Sequence, residues 1–424
     1  MIAPEPMAAK ALSTPERTGL RWYWQIAVVC SSIALVFSRQ PDAFLHPQFF
    51  AEDGHVWFAE AYNFGWFTAL FRVQDGYFQT LPRLAAALSL LAPLTSAPLV
   101  MNLAGLLVQI LPVPLLLSNR FSAWGTVSLR AALAFTYLAL PNSSEMNVTI
   151  EEGQWRLALV ACLLLLCSAP TNRAWKLLDL AVFLLCGLTG PFAILLLPIA
   201  GLRLWLRREP FAGWTLCILI CTAAIQAHAL QVTHRDHWPL GASVERLIRI
   251  LAGQVFLGAI LGSNGLATQN IMPWLVCIAL AGSLLMAYCF VYARLEWQLF
   301  LLFSVVVFAA CLRSPFTPQL RPGSTAWAML TRTSGIRYWF FPTLAFTWTV
   351  VWYVLGRPHR RLCQAIGATL LVLMLTGFVR DWRIPSSRDA DFASYAKVLK
   401  ASSPGTVLII PENPDGWTIR LVKR

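Results

Sequence analysis

Phe49-Phe50-Ala51-Glu52-Asp53-Gly54-His55-Val56-Trp57 sets two adjacent carboxylates against aromatic rings, just after the first apolar run of the chain. Glu60 and Asp75 follow, and then Gly76-Tyr77-Phe78-Gln79-Thr80-Leu81-Pro82-Arg83. Nowhere else in the apolar part of the chain is acid so concentrated. Carboxylates are expensive inside hydrocarbon, whereas aromatic rings favour headgroup depth. The stretch therefore reads as a loop at a membrane surface, between apolar segments. Adjacent acids in that position suit proton abstraction from a polar acceptor beside a lipid-borne donor. The plainer alternative is a solvated acidic loop that only obeys topology.

Working outward, the 424 residues are 57% hydrophobic and only 12% charged, about half the charged share of a soluble domain. Apolar runs near the length of a bilayer crossing recur, with none of the alternation of a transmembrane barrel. The net charge of +13 would suit nucleic acid. The Lys and Arg residues, however, lie in short loops between apolar runs, as positive-inside bias and anionic headgroups explain, so no nucleic-acid partner is expected. The ten cysteines sit in or beside apolar runs without metal-site spacing, and read as small core residues.

The expected fold is an all-α polytopic membrane protein with about eleven crossings, re-entrant or interfacial helices and a small external C-terminal α/β appendage. Residues 1–21 form a polar cytoplasmic tail without a cleavable signal. Residues 22–379 form the membrane domain, with an external acidic loop over 39–80. Residues 380–424 form the appendage. In detail, Trp22 to Ser38 crosses outward, and Leu81 to Leu94 stays in the outer leaflet. Leu99 to Leu117, Ala131 to Leu140, Trp155 to Ser168, Trp175 to Leu188, Phe192 to Leu206 and Trp214 to Leu230 cross in turn. Pro273 to Tyr292, Leu299 to Leu312, Tyr338 to Leu355 and Leu362 to Phe378 complete the set. Leu247 to Leu261 is a further re-entrant or interfacial helix, broken at Gly262. In the appendage, Asp389 to Lys400 reads as a surface helix, with strands at Thr406–Ile410 and Thr418–Val422.

An outward first crossing, a long external loop with paired acids, and many further crossings resemble the GT-C superfamily of integral-membrane glycosyltransferases. Leu185-Cys186-Gly187-Leu188-Thr189-Gly190-Pro191 through Arg207-Arg208 is similar to the short helix pair such enzymes carry. Ala51-Glu52-Asp53-Gly54, Gly76-Tyr77, Leu81-Pro82-Arg83 and Ile410-Pro411-Glu412-Asn413-Pro414-Asp415-Gly416-Trp417 look most like bacterial Gtr-type glucosyltransferases and their relatives. The resemblance implies a polyprenyl-phosphate-linked sugar as donor and a glycan or lipid as acceptor, with the acid motif matched by Glu52 and Asp53. It also implies inverting transfer outside a bacterial plasma membrane; the basic flank of the first run and eleven crossings put the N-terminus in the cytoplasm and the C-terminus outside. In many such enzymes the acids are spaced; here they are contiguous.

Inverting attack needs a base on the face opposite the leaving group. Asp53 is the expected base, with Glu52 orienting the acceptor or acting in its place; mutual repulsion of adjacent acids lifts one pKa, which suits a base. The departing phosphate needs cations, expected from Arg83, Arg337, Arg332 and His237. Asp75, Tyr77, Glu152 and Trp155 are the expected acceptor contacts, with Trp155 as a stacking surface; Glu145, Glu151 and Gln154 share that loop. Each Arg has the bland alternative of an interfacial anchor, and the second loop that of a merely polar turn. No cofactor is required; a divalent cation on Glu52, Asp53 and Asp75 is the optional addition. His228, His234 and His237 lack helical ligand spacing, so no metal site is assigned to them. Asp179 is expected to pair locally with Lys176 or Arg173. The competing functions are a transporter or flippase for lipid-linked glycans and a polymerase-type protein.

Overall fold

The computed structural model describes residues 22–233, 239–266, 274–315, 323–332, 335–356 and 360–424. The chain is mostly α-helical, with a small β-sheet near its C-terminus. Among the described residues, five helices are long and apolar enough to cross a membrane: Leu94–Leu117, Pro210–Val232, Leu275–Tyr292, Leu295–Arg313 and Arg361–Arg380. The longest has 24 residues, a rise of roughly 36 Å against a hydrocarbon thickness of about 30 Å. Two of them bury little of themselves, 22% for Leu275–Tyr292 and 28% for Arg361–Arg380, although their composition is apolar. Leu280, Leu284, Val291 and Val372 stand outward on them. Apolar side chains facing outward along a whole helix call for a lipid surrounding, and the architecture is that of a multi-pass membrane protein.

The other expected crossings fall on helices of 12 to 18 residues, such as Val127–Leu138 and Trp22–Arg39. Phe340–Leu355 is among the most enclosed of these; nearly all its residues are buried. Trp348 on it packs against Phe300 at 4.7 Å and Trp124 at 5.9 Å, which forms the aromatic centre of the bundle. Gly153–Leu166 is likewise a core helix, buried except for Gln154.

Local chemistry sets the helix boundaries. Thr126, Asn172 and Ser243 each cap a helix by accepting an amide hydrogen bond three residues on. The expected break at Gly262 is present, with φ of 73° inside an otherwise helical run. The acidic loop folds into a π-helical turn Asp53–Phe58 and two short helices, Ala59–Phe64 and Trp66–Leu70. Phe64, Trp66, Phe67 and Phe71 are exposed there, while Trp57 and Phe58 are buried. One face of this segment therefore carries rings suited to a lipid interface, and the other face packs on the bundle.

The C-terminal strands Val407–Glu412 and Trp417–Val422 pair antiparallel, from Val407 opposite Val422 to Glu412 opposite Trp417. The helix before them is Phe392–Ala401. Ile410, Ile419 and Leu421 are buried, whereas Val407 and Ile409 are exposed, the period-two pattern of a half-buried hairpin. The hairpin packs on the acidic loop. Ala51 N–H donates to Asn413 O at 2.6 Å, Asn63 donates to Arg420 O at 2.7 Å, and Val422 N–H donates to Asn63 at 2.9 Å.

Candidate functional site

Four chain segments meet beneath the acidic loop. The first helix ends at Arg39, which is buried and donates to the carbonyls of Leu138, Leu140 and Asp381. That pins the start of the acidic loop to the start of the second loop. The second loop is clamped in turn: Gln109 donates to Asn147 at 2.8 Å and accepts from Val148 N–H at 2.9 Å. Asp53 Oδ1 then accepts from Glu151 N–H at 2.9 Å, tying the two loops together at their acidic residues.

Asp75-Gly76 forms the two-residue turn of a small hairpin, Val73–Gln74 paired with Tyr77–Phe78. Both residues have positive φ, 51° and 91°, the geometry of the type I′ turn that Asp-Gly favours. Gln226 holds the hairpin from the long helix Pro210–Val232: it accepts from Phe78 N–H at 2.9 Å and donates to Phe78 O and Gly187 O at 3.2 Å. Gly190 N–H donates to Phe78 O at 2.9 Å, so the Thr189-Gly190-Pro191 turn closes against the same strand. A Cβ at Gly190 would collide with the Gln154 side chain, which explains glycine there.

These segments enclose a cavity of about 660 Å³. Its lining includes the apolar residues Phe192, Leu195, Leu230, Val307 and Ala310. It also includes the polar and charged residues Glu52, Asp75, Tyr77, Glu151, Glu152 and Arg337. Trp155 lines it too, edge-on to Phe192 at 5.1 Å and to Tyr338 at 5.9 Å. Arg337 bridges two acids, 2.5 Å from Glu145 and 3.1 Å from Glu152. A smaller cavity of about 310 Å³ has Glu145, Asn147, Gln40 and Phe50 among its lining.

Six residues expected at a site from sequence thus share one cavity: Glu52, Asp75, Tyr77, Glu152, Trp155 and Arg337. Asp53 lies under the wall rather than in it, 1% exposed, with Oδ2 lacking a hydrogen-bond partner among the described residues. Glu52 therefore lines the cavity, and Asp53 supports the loop from behind. Arg83 is placed elsewhere. It is fully buried, pairs with Glu60 at 2.6 Å and lies 5.0 Å over the Trp57 ring, so its charge is already engaged. Arg332 is exposed and does not line the cavity. His237 lies outside the described residues, as does His234.

One cavity residue, Arg313, was not singled out from sequence, whereas Glu151, a candidate in the second loop, does line the cavity. Arg313, the last residue of Leu295–Arg313, reaches the wall, and no carboxylate among the described residues pairs with it. Its place at the end of an apolar run was the available signal. Glu151 belongs to the acidic wall through its position beside Glu152 and its backbone bond to Asp53.

The electrostatics are those of surplus buried acid. Burial pushes Asp53 well above the ordinary carboxylate range; the Glu151 amide opposes this and the Glu52 and Glu152 charges add to it. Burial likewise raises Glu151, helped by Glu52 and Glu152. Glu152 is pushed up to about 8 by burial, against the pull of Arg337. Such clustering of shifted acids around a cavity marks a functional-site candidate. Among the described residues, no three Asp, Glu, His or Cys side chains gather so as to hold a metal ion.

Asp179 is a correction to the local pairing expected for it. It receives both guanidinium nitrogens of Arg120, at 2.7 and 2.6 Å, because the chain returns Arg120 to the start of its helix from 59 residues away. Comparison of the chain with models of protein families and with curated proteins finds no match.

Proposed function

We propose that the chain is an inverting glycosyltransferase. It moves a sugar from a polyprenyl-phosphate donor to a glycan or lipid acceptor at the external face of a bacterial plasma membrane. The proposal places the N-terminus in the cytoplasm and the C-terminus outside, with eleven crossings, the shorter helices included. The single observation that carries it is a cavity whose lining combines apolar residues, Phe192, Leu195 and Val307 among them, with the charged Glu52, Glu152, Arg313 and Arg337. The apolar lining suits an isoprenoid chain, and the charged lining suits a sugar phosphate.

In this reading Glu52 takes the proton of the acceptor hydroxyl as its oxygen attacks the anomeric carbon. The bond from that carbon to the phosphate oxygen breaks on the opposite face, so configuration inverts. Polyprenyl phosphate leaves with its new charge against Arg313, the cation with no carboxylate already at hand among the described residues, and near Arg337. Trp155 offers its ring to a sugar face, and Asp75 and Tyr77 offer polar contacts to hydroxyls.

The test is mass analysis of cell-envelope glycans from cells with the wild-type chain, without it, and with Glu52→Gln. The expected result is one sugar missing both without the chain and in the variant, with variant protein at normal level in the membrane. Unchanged glycans accompanied by blocked lipid-carrier turnover would favour a flippase. Glu52→Gln with full transfer would remove Glu52 as the base.

A further inference from the structure

The C-terminal hairpin carries an acid where its pattern calls for a hydrophobe. Glu412 is in phase with Ile410 on the inward face of its strand and is 1% exposed. Neither carboxyl oxygen has a hydrogen-bond partner of ordinary geometry among the described residues. A buried carboxylate so placed is costly, whereas a protonated one is a donor in search of an acceptor.

Its neighbours identify that acceptor. Glu412 packs directly on Gly54: any Cβ at that position would collide with the Glu412 carboxyl, with Ile419 and with Phe49. Asp53 is the residue before Gly54, and its Oδ2 is likewise a buried oxygen without a hydrogen-bond partner among the described residues. The strand is held in register by Ala51 N–H donating to Asn413 O at 2.6 Å and by the Phe50–Asn413 bridge. On the opposite strand, the His55 ring nitrogen is 2.6 Å from Thr418 O.

We propose that Glu412 is a positioning residue. As a neutral acid it donates its proton to Asp53 Oδ2, and so locks the segment that carries Glu52. One proton held between the two carboxyls gives both orphaned groups a partner, and no covalent bond is made or broken. The C-terminal hairpin is then part of the site rather than an accessory to it. The charged groups bearing on Glu412 are Asp53 and Glu52, which favour its neutral form, while the His55 amide favours the charged one. Burial is the largest influence, and Glu412 is pushed up to about 9. The importance of this lock for transfer rests on Glu52 being the acceptor-activating carboxylate; the lock itself does not.

The test needs no substrate. Infrared difference spectra of the full chain in lipid nanodiscs, wild type minus Glu412→Gln, should contain a protonated-carboxyl C=O band at neutral pH. That band should titrate away near pH 9 and shift in an Asp53→Asn background. A difference spectrum with no such band, or one indifferent to Asp53→Asn, overturns the proposal. Hydrogen exchange provides the second measurement. The Glu412→Gln amide can still donate, so residues 50–58 should stay protected. In Glu412→Ala they should exchange about ten- to hundredfold faster, while Leu275–Tyr292 is unchanged. Equal loss of protection in both variants means that the proton is not the tie, and sinks the idea. Failure of transfer in Glu52→Gln, or its persistence, leaves these readouts where they are.

Discussion

The core helix Gly153–Leu166 has fourteen residues and a rise of roughly 21 Å, and its two ends differ in kind. At the far end, carbonyls left open by the last turn are taken by arginines: Arg120 donates to Ser168 O at 3.0 Å and Arg203 to Cys167 O at 2.8 Å. Each arginine also has its own carboxylate, Asp179 for Arg120 and Glu209 for Arg203. Charge there is matched one to one and suits the negative end of the helix dipole. At the near end, Glu151 and Glu152 sit at the positive end of the dipole, with Glu52, Asp53, Glu145 and Glu412 close by and Arg337 bridging only two of them. One end is settled, and the other keeps unsatisfied acid beside a cavity. A balanced buried cluster is the signature of structure; an unbalanced one is maintained only by folding energy from elsewhere, and it is where chemistry is found.

Substitutions at the two ends should separate these roles. The largest effect belongs to the acid end: Glu52→Gln should lower transfer by about 10²- to 10⁴-fold with little change in thermal stability. Transfer is read as sugar incorporated per unit of membrane protein. The matched end should respond the other way. Asp179→Ala strands Arg120 among buried groups and should cost about 3–5 kcal/mol, seen as a lower unfolding temperature in detergent. If it instead abolished transfer without destabilising, the division between the ends would fail.

Proton linkage offers a subtler contrast. Glu152 and Glu412 are pushed up to about 8 and about 9, from an ordinary 4.5. The folded chain therefore holds protons that the unfolded chain releases, so stability is present in full below about pH 4.5 and declines as pH rises through 8 and 9. The unfolding temperature should fall between pH 5 and pH 9, and Glu412→Gln should flatten part of that slope. A slope of opposite sign would show that the acid end is ionised and paired after all. The smallest effect is expected outside both clusters. Arg388 and Asp415 pair at 3.0 Å with most of both side chains exposed, and Arg388→Ala should change stability by roughly 0–1 kcal/mol.

How much of this was legible before folding depends on the range of the interactions concerned. The Asp75-Gly76 turn, the break at Gly262 and the two C-terminal strands follow from local backbone chemistry, and all three are found where residue type calls for them. Glu52, Glu152, Trp155 and Arg337 could each be flagged by a charge or ring at the end of an apolar run. Arg83 and Asp179 could not be read in the same way. Whether a lone charge in a helix faces a ligand or another charge depends on which segment packs against it, and Glu60 and Arg120 answered that.

The residues alone determined that this chain lies in a membrane as a helical bundle, because hydrocarbon selects composition and run length and needs no knowledge of packing. They also pointed to acid concentrated in the loop after the first apolar run and in the loop before Gly153, since charge is costly inside the spans. Only the tertiary structure decided that Glu52 lines the cavity while Asp53 lies behind it, and that Glu412 arrives from the far end of the chain to meet them. Adjacent residues on a turn point different ways, and a partner more than three hundred residues distant leaves no local trace; both are settled by packing, which sequence spacing does not record.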